Sequence, residues 1–126
     1  MTDYADVPAE VLDRLRSICL ALPGAYEEQA WAGTRWRVRA KTFAHVLTVM
    51  RAGELQTRLT FRSSGPELDA LHHAGPPFYR PDWGTDVVGV RLMDPIDWAE
   101  ITELLTESFC VQAPRKLVEL IERPGE

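Results

Sequence analysis

The sequence predicts an α+β fold, a two-layer sandwich in which an antiparallel sheet of about four to six strands carries the N- and C-terminal helices on one face. Three observations lead there. The chain begins and ends with stretches whose apolar residues recur at helical spacing. Between them lie three strand-like runs joined by turns short enough to require antiparallel pairing. A length of 126 residues with 45% hydrophobic and 26% charged content suits one core and therefore one domain over residues 1–126.

The elements follow in order. Pro8 to Leu22 reads as a helix with Val11, Leu12, Leu15, Ile18, Cys19 and Leu22 on one face, Asp6 as its cap and Pro23-Gly24 as its stop. "AYEEQAWAG" reads as an irregular acidic connection with Glu27 and Glu28 in solvent. Thr34 to Arg39 alternates cation with apolar residue, which predicts a half-buried strand with Trp36 and Val38 inward. A turn near Ala40-Lys41 leads to Thr42 to Met50, apolar on both sides and so a central strand. Alternation puts Phe43, His45, Leu47 and Val49 on one face and Ala44, Val46, Thr48 and Met50 on the other. "RAGE" turns into Leu55 to Arg62, with Leu55, Thr57, Leu59 and Phe61 toward the core. Ser64 caps a helix of about two turns that has Pro66 in its first turn and ends at Gly75. "PPFYRPDWG" is a structured loop. Thr85 to Met93 is a fourth strand, and Asp94-Pro95 starts a helix with an apolar stripe of Ile96, Ile101, Leu104, Leu105, Phe109 and Cys110. "RKLVELIER" forms a short last helix, and the tail "PGE" frays.

Composition excludes several classes. No apolar run approaches the ~20 residues of a membrane span. The acidic start "MTDYADVPAE" lacks a secretory signal, which together with two widely spaced cysteines, Cys19 and Cys110, predicts a cytoplasmic protein. Those cysteines read as small buried apolar residues. His72 and His73 are adjacent and diverge on a helix, His45 lies in a central strand, and Asp6, Glu10 and Asp13 interleave with Arg14 and Arg16. No metal, cofactor or catalytic constellation is expected, and the chain is read as non-enzymatic.

Charge is the informative property. The net charge is −5, yet Trp31 to Arg62 holds seven cations (Arg35, Arg37, Arg39, Lys41, Arg51, Arg58 and Arg62) against Glu54, a local balance of +6. Alternation places Arg35, Arg37, Arg39 and Lys41 on one sheet face, with Arg58 and Arg62 extending it and Arg91 of the fourth strand adjoining. Guanidinium forks pair with phosphate or carboxylate, and Trp83, in its proline-rich loop, is positioned for stacking. Two readings are open: a surface for nucleic-acid phosphates or a small anionic ligand, or a solvated strand face whose cations balance the helix acids.

Four segments carry a resemblance: "LPGAYEE", "WRVRAKTFA", "RPDWG" and "LLTESFCVQAPRKL". Together they resemble the MmcQ/YjbR family over Leu12 to Leu117, at Pro23, Gly24, Glu28, Val38, Lys41, Phe43, Ala44, Trp83 and Ser108. The resemblance implies a CyaY-like, frataxin-type fold and a DNA-binding role. Of the matching positions, Lys41 and Trp83 are the ones placed to touch a ligand.

Overall fold

The computed structural model describes residues 3–121. Its elements run β1 (Asp3–Ala5), α1 (Ala9–Leu20), β2 (Tyr26–Gln29), β3 (Thr34–Val38), β4 (Lys41–Arg51), β5 (Glu54–Arg62), α2 (Gly65–His72), β6 (Phe78–Tyr79), β7 (Val87–Leu92), α3 (Trp98–Gln112) and α4 (Arg115–Val118). Two tight turns build the centre. Arg39 and Ala40 have φ of 49° and 66°, and Ala52 and Gly53 have 52° and 80°. Two successive positive φ angles give the hairpin turn whose twist suits the flanking strands. β3, β4 and β5 therefore form the expected antiparallel meander.

The α+β class stands, with a sheet of seven strands in the order β2-β3-β4-β5-β7-β6 and β1 paired to β4. That is more strands than expected. The additions are β1, β2 and β6, which hold three, four and two residues. Each is polar or lies in a proline-rich segment, so none shows the alternation that marks a strand. β1 and β3 share one edge of the long β4: β3 pairs with Lys41 to Val46, and β1 with Thr48 to Met50.

α1 and α3 cover one sheet face, as their stripes predict. Leu15 and Cys19 from α1 and Ile101, Leu104, Leu105 and Phe109 from α3 pack on Trp36, Val38, Ala44, Val46, Leu59 and Phe61. Burial pushes the Cys19 thiol pKa up, so it behaves as an apolar side chain.

Several local expectations are corrected. The pairing of β3 with β4 slips between Trp36 and Arg37: Trp36 faces Ala44 but Arg37 faces Thr42. Phe43 is the extra residue of a β-bulge, so it joins Ala44 in the core and meets Phe109 edge to face at 5.5 Å. Simple alternation had put it beside His45. Leu55 is 60% exposed, because it sits at the open end of β5 beyond the helices. Asp6 does not cap α1; Pro8 occupies that position with no side-chain bond. Asp97, rather than Asp94, caps α3 by accepting from the Glu100 amide at 3.1 Å. The final helix stops at Val118, and the end of "RKLVELIER" and the "PGE" tail lie outside the described residues. No described helix is long and apolar enough to cross a membrane.

Candidate anion-binding site

The sheet face opposite the helices is uncovered and concave, with a groove of about 980 Å³. β4 and β5 supply its floor: His45, Leu47 and Val49, then Arg58, Thr60 and Arg62. Tyr4 and Trp31 wall the β1–β3 side, and Tyr79 and Trp83 wall the β6 side. Trp31 is 82% exposed and meets Tyr4 edge to face at 5.0 Å. Trp83 is also exposed and lies 5.7 Å from the Arg62 guanidinium. Large exposed aromatics beside cations on a concave face are unusual for a surface with nothing to contact.

The expected stripe is divided by its own neighbours. Alternation along β2 sends the Glu27-Glu28 doublet to opposite faces. On the helix face, Glu27 accepts from Arg16 Nε at 2.9 Å, Arg16 Nη2 at 3.0 Å and the Trp36 indole at 2.9 Å. On the open face, Glu28 lies directly opposite Arg35 and pairs with it at 2.6 Å; Arg37 reaches the same oxygen at 3.2 Å. Arg37 also donates to the Ala40 carbonyl. The two glutamates expected in solvent are therefore ion-paired. Bonds from Arg16 and Arg35 respectively hold the Glu27 and Glu28 carboxyls below the usual range.

These depressed values predict a pH dependence. A carboxylate with a lowered folded pKa stabilises the fold above its unfolded pKa, about 4.3, and this contribution is lost as pH falls through the folded value. Protection of the β2 amides, taken relative to the intrinsic exchange rate at each pH, is expected to fall below about pH 4, before that of the β4 amides. Simultaneous loosening of both strands would show that these pairs do not hold β2.

Arg39 and Lys41 leave the stripe for a backbone reason. Arg39 is a turn residue with positive φ, and Lys41 lies opposite Val38, on the helix side of the sheet at its margin. Both are exposed at the hairpin tip, away from Arg35. Arg62 faces the groove as expected but pairs with Asp86 at 2.6 Å.

Arg58 differs from these. It lies directly opposite Arg91 on β7, and among the described residues neither forms an ion pair. The Nε of each is buried with no hydrogen-bond partner, while Arg58 Nη2 donates to Gln56 at 2.8 Å. Like charges directly across a sheet are destabilising, and a buried unsatisfied donor costs about 1–3 kcal/mol. Tyr79 lies beside them, 5.7 Å from the Arg58 guanidinium. Its ring occupies the space left by Gly89, where a Cβ would come within 2.2 Å of it. Burial raises the Tyr79 pKa, only partly offset by Arg58 and Arg91, so the phenol stays protonated at neutral pH.

Reasoning from sequence missed that Glu28 neutralises half the stripe and that Tyr79 packs over Gly89; it does place Arg91 beside the cationic face, where the structure sets it opposite Arg58. Gly89 inside β7 was the available signal, since a strand glycine often marks close approach of another group. The histidines make backbone contacts: His45 Nε2 lies 2.7 Å from the Ala32 carbonyl oxygen, His72 Nε2 2.8 Å from that of Val87, and His73 Nδ1 2.8 Å from that of Asp69.

The fold and site together define a two-layer α+β domain with an aromatic-walled, arginine-floored groove on its uncovered sheet face. The family model described as YjbR matches residues 20–111, most of the chain, and the protein belongs to the YjbR family. No curated protein matches it.

Proposed function

We propose that this YjbR-family chain is a non-enzymatic DNA-binding domain that takes a single strand into the groove, phosphates over the arginine floor and bases against Trp31 and Trp83. The observation that carries this reading is the combination of exposed aromatic walls with a cationic floor. Every base offers a face for stacking, and the backbone needs cations along its track. A duplex suits the site less well. Arg35, Arg37 and Arg62 are already paired to acids, and the chain's net charge is −5.

Tryptophan fluorescence titration with a single-stranded oligonucleotide at ~50 mM salt tests the reading. Saturable quenching is expected, weakening as salt rises. Trp83→Ala should cost about 1–3 kcal/mol of binding. Glu28→Gln releases Arg35 and Arg37 and should tighten binding and steepen the salt dependence. Absence of saturable binding, or binding indifferent to both substitutions, would remove nucleic acid as the ligand. The second reading, a small anionic molecule or an acidic protein partner, is favoured by the gathering at one recess of Arg51, Arg58, Arg80 and Arg91, none of which forms an ion pair among the described residues.

A further inference from the structure

We infer that Arg58 and Arg91 form a discrete oxyanion subsite that clasps one phosphomonoester group between their guanidiniums. It shares the open face with the proposed strand-binding groove but stands on separate observations. The first is register. The two arginines are direct partners on β5 and β7, so both project from the same point of the same face. The second is that each keeps a buried Nε without an acceptor, and no described acid pairs with either. Elsewhere on this face acids reach the arginines: Glu28 pairs with Arg35 and with Arg37, whose Nε is likewise left without a partner, and Asp86 pairs with Arg62, so it is the lack of any paired acid that sets Arg58 and Arg91 apart. The third is a cleft. A recess of about 540 Å³ opens over the pair, bounded by Arg51, Tyr79, Arg80 and the Pro76-Pro77 segment. Asp82 also lines it, without reaching either guanidinium at ion-pair distance.

The chemistry of the pair selects the group. A planar carboxylate is filled by a single guanidinium fork, whereas a tetrahedral oxyanion has oxygens to offer forks from both sides. A phosphomonoester carries a charge of about −1.5 to −2 at neutral pH, which matches two guanidiniums, while an internal phosphodiester carries half of that. The protonated Tyr79 phenol at the cleft adds a neutral donor rather than a competing anion. The same group occurs on a free mononucleotide and at the end of a strand, and the assay must separate these sources.

The full chain is titrated by calorimetry and thermal shift with inorganic phosphate, with a nucleoside 5′-monophosphate, and with a single-stranded oligonucleotide with or without a 5′-phosphate. Sodium chloride at matched ionic strength is the reference. Saturable stabilisation by phosphate is expected. Arg91→Lys, which keeps the charge and loses the fork, should weaken phosphate binding about ten-fold. Arg58→Gln/Arg91→Gln should abolish it, while the unliganded double variant melts no lower than the parent because the mutual repulsion is gone. Tighter binding of the mononucleotide than of inorganic phosphate identifies a free nucleotide as the source. A gain of about ten-fold from the strand's 5′-phosphate, without that preference, identifies a strand end. No saturable effect of phosphate, or one that survives the double substitution, overturns the subsite. Binding of the strand lacking a terminal phosphate would in that case still support the groove reading, so the two can fail separately.

Discussion

Gly33→Ala is expected to destabilise the fold by at least about 4 kcal/mol, a loss near the limit that a domain of this size tolerates. Two penalties act together. Gly33 has φ of +74°, where a side chain is strained, and an added Cβ would lie 1.9 Å from the carbonyl oxygen of Val46. That obstacle is backbone in the central strand and cannot rotate away. Gly33 is close because the chain before β3 is pressed against the middle of β4. The Ala30 amide donates to the Gly33 carbonyl at 3.1 Å, and His45 holds the Ala32 carbonyl at 2.7 Å. The segment so held presents Trp31 to the groove. Gly53 provides the control, with φ of +80° and nothing within 4 Å of its added Cβ, so Gly53→Ala should cost about 1–2 kcal/mol. Urea denaturation of the two variants measures the difference. Equal losses would mean that the β4 contact is not the constraint.

Ser108→Ala is expected to cost about 2–4 kcal/mol, although it removes one oxygen atom. Ser108 is fully buried; its hydroxyl donates to the Phe43 carbonyl at 2.6 Å and accepts from the Arg62 amide at 2.7 Å. The β4–β5 pairing ends at Ala44 and Phe61, and the hydroxyl bridges the next two backbone groups across those strands, the Phe43 carbonyl and the Arg62 amide. Gln112 donates to the Thr42 carbonyl at 2.9 Å, one helical turn further along α3. Without Ser108, two buried backbone groups lose their partners in a space too small for ready solvation. The loss is measured by denaturation, and faster hydrogen exchange at the Arg62 amide locates it. A cost below about 0.5 kcal/mol would show that water replaces the hydroxyl. The site has a stake in this contact, because Arg62 leaves the same backbone segment to reach Trp83 and Asp86.

How far the fold was legible follows from which residues carry a periodic signal. Both long helices, the β3–β5 meander and β7 show apolar repeats of helix or strand period, and each stands within a few residues of its expected bounds. β1, β2 and β6 carry no such repeat. "YEEQ" is a strand because Glu28 meets Arg35 on β3 while Glu27 meets the Trp36 indole on β3 and Arg16 on α1, which are pairwise properties rather than local ones. Phe43 was assigned to the wrong face because one bulge residue shifts the alternation for everything before it. The same shift, together with a turn at Arg39-Ala40, removed Arg39 and Lys41 from the stripe.

The fold class, the two covering helices and the concentration of positive charge between Trp31 and Arg62 follow from the amino-acid order, because periodicity and composition are local properties. Tertiary structure alone decided which of those charges remain unpaired. Glu28 and Asp86 reach their arginines across strand pairings and loops, and Arg58 meets Arg91 only because β5 and β7 are neighbours in the sheet. Electrostatic pairing depends on distance in space, and 33 residues separate that last pair along the chain.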